Sequence, residues 1–150
     1  VVPTQTMAIR FYSVTGDYGA FSNFAAYAFK LGGQTWPTSE HYFQANKFPG
    51  TPQFEEIRKA RTPGLAAKLG RSRRFRLRPD WESVKVDVMR RAIDAKFGQH
   101  DELRALLLST GDEELIEETD TDSFWGCGTD GKGRNMLGRL LMELRERLRE

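Results

Sequence analysis

The run Trp36-Pro37-Thr38-Ser39-Glu40-His41-Tyr42-Phe43-Gln44-Ala45-Asn46-Lys47 decides how the chain is read. Pro37 closes the segment before it, and Thr38 or Ser39 offers a hydroxyl to the free N–H groups of a first helical turn. A helix started there carries Glu40, Gln44 and Lys47 at i, i+4 and i+7, one stripe of its surface, while Tyr42 and Phe43 point elsewhere and anchor it in a core. A carboxylate, an amide and an ammonium in a row, with Trp36 at the mouth, suit the wall of an active site. Against this stands the ordinary reading of a solvated polar face supported by weak pairs along the helix, which spacing alone favours.

Around that helix the chain reads as one domain. Its 150 residues, 39% hydrophobic and 29% charged, suffice for a core and match a soluble globular composition. No apolar run reaches membrane-spanning length, so no membrane partner is expected. Residues 1–8 lack the basic and apolar pattern of a secretory signal and read as an N-terminal tail, with a single domain over 9–150. The lone Cys127 excludes an internal disulfide and a multi-cysteine zinc site, and His41 and His100 are too scattered for a metal cluster. No metal and no cofactor are therefore expected, and a reducing cytoplasm is the natural compartment. The net charge of +2 hides an asymmetry: residues 57–79 hold nine basic and no acidic residues, five of them arginines between Arg71 and Arg78. Residues 80–122 hold thirteen acids against five bases. The basic block suggests an anionic partner such as phosphate or nucleic acid; pairing with the acidic block that follows explains it equally well.

The remaining signals describe a mainly α (α+β) chain with a small N-terminal β-hairpin. Residues 9–13 read as a short strand, and residues 27–35, turning at Gly32-Gly33, as the hairpin. Thr51-Pro52 and Thr62-Pro63 open short helices near 52–61 and 63–69, the second stopped by Gly70. Asp80 is expected to cap a long helix over 81–97, and Asp101 another that ends at Thr110-Gly111. Residues 115–117 read as a short strand or extended link. The stretch 125–135 packs four glycines, Gly126, Gly128, Gly131 and Gly133, into eight residues before a helix with Leu137, Leu140, Leu141, Leu144 and Leu148 at apolar spacing. Such a loop can expose N–H groups to phosphate, with Lys132 and Arg134 adding charge. It is no Walker sequence, and a flexible linker before the last helix fits it as well.

Several of these blocks together resemble the NADAR (YbiA-like) family: Gly19-Ala20-Phe21-Ser22-Asn23-Phe24; Trp36 through Phe48; Leu69-Gly70-Arg71; Trp81 through Met89; Lys96-Phe97; Asp122-Ser123-Phe124-Trp125-Gly126; and Asn135-Met136-Leu137-Gly138. The resemblance spans roughly residues 9–148 in family order. It implies a compact helical domain with a small β element and N-glycosidase activity on ribosylated amines. Two substrate kinds follow from it: ADP-ribose attached to guanine in DNA or RNA, and the phosphoribosylated aminopyrimidines of early riboflavin biosynthesis. Both join the ribose anomeric carbon to an exocyclic amine, a linkage that can open to an imine. A non-catalytic module that binds ADP-ribose or another NAD-derived ligand is the contrasting reading, and the oligomeric state is left open.

For the chemistry, Glu40 is the expected acid–base group and Lys47 the expected amine nucleophile, which needs burial or a neighbouring cation to be neutral. Lys85 and Lys96 lie in family-like blocks and are alternatives to Lys47. The expected substrate contacts are Ser22, Asn23, Trp36, Gln44, Arg71, Trp81, Asp122, Trp125, Gly126 and Asn135. The tryptophans would stack on base or sugar, Asn23 and Asp122 would reach ribose hydroxyls, and Gly126 and Asn135 would donate near a phosphate. Each has a plainer alternative in core, turn or capping work. His41 points off the Glu40 stripe and reads as structural.

Overall fold

The computed structural model describes residues 8–150, and the expected tail at 1–8 lies outside them except for Ala8. Among the described residues the chain forms six α-helices, four short strands and a 3-10 turn, mainly α with a small β part. It divides into two compact units: residues 23–99, and segments 8–22 and 100–150 taken together.

The unit 23–99 begins with the hairpin. The first strand of the chain, β1 (Ala8–Phe11), lies in the other unit, so the hairpin strands are β2 (Phe29–Leu31) and β3 (Gln34–Trp36), antiparallel with Phe29 opposite Trp36. Gly32 and Gly33 turn it at φ +64° and +79°, a left-handed pair that glycine adopts without a Cβ penalty. Helix α1 (Ser39–Ala45) follows at once. Thr38 is its cap, accepting the His41 N–H at 3.2 Å. The Ser39 hydroxyl instead donates to Asn23 Oδ1 at 2.7 Å.

Helices α2 (Pro52–Arg58), α3 (Pro63–Arg71) and α4 (Trp81–Gly98), with β3, surround α1. All seven α1 residues are buried. Seven residues are too few for a helix to stand alone in water, so packing holds α1 in place. The wet polar face is thereby overturned: Glu40, His41 and Gln44 are inside.

Three local expectations fail here. Thr51 does not cap α2; its hydroxyl donates to the Phe48 carbonyl at 2.8 Å, whereas Thr62 does cap α3. Gly70 does not stop α3, which continues through Arg71. A Cβ at Gly70 would lie 2.7 Å from Gln44 Cδ and closer still to its Oε1, so this glycine lets α3 approach α1. Asp80 precedes α4 without capping it, because its carboxylate holds Arg78 at 2.6 and 3.0 Å.

In the other unit, β1 pairs in parallel with β4 (Glu114–Glu117), Ala8 opposite Glu114 and Phe11 opposite Glu117. This small sheet adds to the expected hairpin. The 3-10 turn Gly19–Phe21 ends at Ser22. In α5 (Asp101–Ser109) the cap position belongs to His100; Asp101 sits inside the first turn, where its charge favours the helix dipole. Helix α6 (Met136–Leu148) buries Leu137, Leu140, Leu141 and Leu144 and packs on β4. A Cβ at Gly138 would collide with the Leu115 carbonyl, so glycine sets that close contact.

Candidate active site

The buried polar residues of α1 hold one another. His41 is 1% exposed. Its Nδ1 lies 2.8 Å from the Thr38 hydroxyl and its Nε2 2.9 Å from the Ala60 carbonyl. A carbonyl only accepts, so Nε2 carries the hydrogen and Nδ1 accepts from Thr38. Burial lowers its pKa, which keeps the ring neutral and structural, as its direction on the helix suggested. Gln44 Nε2 donates to Glu40 Oε1 at 2.7 Å, and the Glu40 N–H donates to the Asn23 carbonyl at 3.2 Å. Glu40 is thus oriented from both backbone and side chain.

Lys47 is not on the helix. It sits two residues beyond Ala45 in a turn closed by its N–H on the Gln44 carbonyl at 3.2 Å. Its amine lies 5.8 Å from the Phe43 ring centre and 5.9 Å from that of Trp81, two rings packed edge-on at 5.0 Å. Burial above all, then the Arg73 charge, with smaller help from Arg71 and Lys85, lowers its pKa to about 8 against the opposing pull of Glu40. About a tenth of it is neutral at pH 7, against about one part in three thousand for an ordinary lysine at 10.5. The two alternative lysines are placed differently. Lys85 is paired to Glu82 at 2.6 Å. Lys96 is 1% exposed, near the Tyr27 and Phe97 rings, and burial lowers its pKa to about 7. Enclosed on all sides, it offers no approach to a sugar.

The basic block is partly neutralised, mostly from upstream rather than by the acidic block that follows. Among the described residues Arg58 and Lys59 pair with Glu55, Arg74 with Glu56, and only Arg78 with an acid of the later block, Asp80. Arg71 and Arg73 make no ion pair among the described residues. Arg73 is pinned by its bond to the Gly70 carbonyl at 3.0 Å and lies 5.9 Å over the Phe48 ring. Two cations beside the Lys47 amine can therefore meet an anionic group. Arg73 was not singled out from the sequence; the only signal for it was its place in the arginine run.

The structure thus brings together Glu40, Gln44, Lys47, Arg71 and Trp81 within the unit 23–99. Asn23 belongs to the same group as a brace for α1: its Oδ1 is taken by Ser39, while its Nδ2 makes no hydrogen bond among the described residues. Trp36 is a correction. It is 1% exposed, edge-on to Tyr42 at 5.0 Å and Phe54 at 5.4 Å, with its indole N–H on the Leu31 carbonyl at 3.0 Å. No face is left to stack on a base. Trp81, 5% exposed, is a wall for Lys47 and not an open platform.

The other five candidates belong to the second unit. Ser22 is buried, with its N–H on the Gly19 carbonyl at 3.1 Å. Asp122 Oδ1 accepts the N–H groups of Phe124 and Trp125, both at 2.9 Å, which is turn work and not ribose binding at that oxygen. Trp125 is half-buried and edge-on to Phe124 at 4.9 Å.

The phosphate loop is also corrected. The N–H groups of Gly133, Arg134, Asn135, Met136 and Leu137 donate to the carbonyls of Cys127, Ser123, Gly126, Phe124 and Trp125. The helix entrance is thus already filled by the loop's own oxygens. Asn135, at φ 52°, accepts the Glu117 N–H at 2.9 Å and donates to the Leu115 carbonyl at 2.8 Å, so its amide fastens β4. Gly126 is there for closeness: a Cβ would lie 2.8 Å from the Glu117 carbonyl oxygen. Among the described residues no group of three or more His, Cys, Asp or Glu is placed to hold a metal ion, and no helix is long and apolar enough to cross a membrane.

The sequence and the fold have known counterparts. The model of the NADAR domain matches residues 10–149. The chain belongs to the NADAR family. N-glycosidase YbiA of Escherichia coli (strain K12) is 58% identical over 144 residues, covering 96% of this chain and 90% of that protein. The NMR structure of the E. coli protein YbiA superposes on this NADAR chain with a TM-score of 0.88 at 57% identity, over 97% of this chain and 87% of the other. The riboflavin biosynthesis protein PYRR of Zea mays is 44% identical over 163 residues, covering 99% of this chain and 26% of the maize protein. The mainly α architecture is that of the solved neighbour.

Proposed function

We propose that this N-glycosidase hydrolyses the bond between C1 of a phosphorylated ribose and an exocyclic amine, with ADP-ribose on guanine in nucleic acid as its substrate. The observation that carries the reading is the Lys47 amine, held near pKa 8 beside Glu40 and the cations Arg71 and Arg73. The exposed arginine run supports a substrate with more than one phosphate. A second reading, the phosphoribosylated aminopyrimidine of riboflavin biosynthesis, is favoured by the name of the maize relative.

In a ribosylamine of this class the amine lone pair expels the ring oxygen and leaves an open-chain imine at C1. Glu40 passes the amine proton to that oxygen. Neutral Lys47 then forms a bond to C1, and Glu40 moves the two protons of the lysine nitrogen in turn to the base nitrogen, the second as the C1–N bond to the base breaks. The C1–N bond to the base breaks, the free amine leaves, and the sugar stays on Lys47 as a Schiff base. Water adds to C1, its protons go to the lysine nitrogen by way of Glu40, and the aldehyde sugar departs. The sum is glycosylamine plus water to sugar plus amine, with Lys47 and Glu40 restored.

Borohydride added during turnover should fix one sugar adduct on the peptide containing Lys47, and Lys47→Arg should lose both adduct and turnover. An active enzyme that yields no adduct on any lysine would overturn the imine route. Parallel incubations with ADP-ribosylated guanine DNA and with the phosphoribosylaminopyrimidine, followed by detection of free ADP-ribose or free base, decide between the substrates. Tight ADP-ribose binding with no turnover on either would make the chain a reader.

A further inference from the structure

The unit formed by segments 8–22 and 100–150 contains a cavity of about 480 Å³, bounded by Arg10 and Tyr12, by Glu118 and Asp120, and by the loop glycines Gly128 and Gly131. We propose that this cavity binds a planar heterocycle through an edge of adjacent amide and amine N–H groups. The proposal rests on the glycosidase reading only for the choice of ligand class, since the amine released in that reaction belongs to it.

Four observations lead there. The volume falls in the range of about 300–1,000 Å³ typical of small-molecule pockets. Tyr12, just past β1, is 62% exposed and presents a ring on which a heterocycle can stack. The charge of the lining is wrong for phosphate. Arg10 meets Glu118 only at 3.9 Å, with both side chains half-exposed, and Asp120 has no ion pair or side-chain hydrogen bond among the described residues. One cation against two carboxylates leaves the cavity negative and rich in acceptors, which suits N–H donors and repels anions. Finally, four of the loop's N–H groups, those of Gly131, Gly133, Arg134 and Asn135, are already bonded to its own carbonyls and so are taken from any anion. What the loop supplies is a bare wall: Gly131 has φ +73° and open space where a Cβ would stand.

A carboxylate with two free oxygens pairs in parallel with two neighbouring N–H groups, the pattern shared by guanine and aminopyrimidinones. Asp120 is the group with that capacity, and Tyr12 supplies the stacking.

The test is a ¹⁵N-NMR titration of the whole protein with isocytosine, which carries the required edge, and separately with inorganic phosphate. Isocytosine should give saturable shifts at the amides of Tyr12, Gly128 and Gly131, and phosphate none there. Tyr12→Ala should weaken isocytosine at least about fivefold, the lower end of what base–aromatic stacking contributes. Asp120→Asn should weaken it by a similar factor, with the rest of the spectrum unchanged in both variants. The proposal is overturned if these amides do not move with isocytosine, if they move with phosphate, or if Asp120→Asn binds as well as the parent. A failure of the glycosidase reading looks different: no ribosylamine is cleaved, while isocytosine still titrates the cavity.

Discussion

The pH dependence of kcat/KM puts the Lys47 assignment at risk most directly. This quantity reports the free enzyme, so it should follow the neutral fraction of Lys47. With a pKa of about 8, that fraction is about one half at pH 8, a tenth at pH 7 and a hundredth at pH 6. The rate constant should therefore fall about fiftyfold from pH 8 to pH 6 and level off above 8. An unperturbed lysine would instead keep rising tenfold per unit through pH 9. Burial is the larger cause of the shift and Arg73 the largest single charge. Arg73→Gln should then move the break to higher pH, lowering kcat/KM at pH 7 but recovering part of it at pH 9. If Arg73 also holds a substrate phosphate, its removal lowers the whole curve in addition to moving the break. The assay is initial-rate release of free base over pH 6–9.5 at constant ionic strength. A flat profile between pH 6 and 8, or a break that Arg73→Gln leaves in place, would refute the neutral amine.

Three further outcomes test the surrounding scaffold. Gly70→Ala gains about 1 kcal/mol of helix propensity but forces Gln44 aside, at an overpacking cost of about 1–3 kcal/mol. Loss of the Gln44 bond to Glu40 should cut kcat about 10–100-fold, and a folded Gly70→Ala enzyme with parental kcat would show that Gln44 does not position Glu40. Asn135→Ala removes two bonds to the β4 backbone and leaves a non-glycine left-handed residue, so denaturant unfolding should report a loss of about 3 kcal/mol. KM of the folded fraction should stay unchanged; a raised KM with parental stability would return Asn135 to the substrate. Lys96 is depressed to about 7 in the folded protein, against 10.5 when unfolded. Between those values the unfolded chain holds a proton that the folded one lacks, so stability rises with pH, by at most about 1.4 kcal/mol per unit. Below pH 7 both states are protonated and the slope vanishes. Urea midpoints between pH 7 and 8 should rise more steeply in the parent than in Lys96→Met, where only the smaller slope from Lys47 remains.

Local chemistry made much of the unit 23–99 legible in advance. Gly32-Gly33 demanded a tight hairpin turn, and Thr38 and Thr62 marked helix starts through hydroxyls that do accept the expected N–H groups. Surroundings were not legible. The stripe of Glu40 and Gln44 looks the same on a wet helix as on one enclosed by three others, because periodicity does not say what packs outside. Helical spacing placed Lys47 near Glu40 for an inexact reason, since the helix ends at Ala45 and a turn delivers the amine. Gly70 read as a stop because glycine often ends helices; here contact with α1 decided instead. The parallel partnership of β1 with β4 joins segments a hundred residues apart and leaves no short-range trace. Asn135 and Gly126 stood out with the residues of chemistry, yet they fasten a loop and a strand.

The enclosure of α1 constrains how this protein can diverge. Its seven positions answer to packing and to the chemistry at once, so a library randomised there would return mostly misfolded chains, whatever the substrate offered. Adaptation to a new substrate has room where side chains face water, along the arginines from Arg71 onward. There, charge can be added or removed without reopening the interior. Selection for a new phosphate pattern should therefore collect its changes in that strip and leave the helix beneath it untouched.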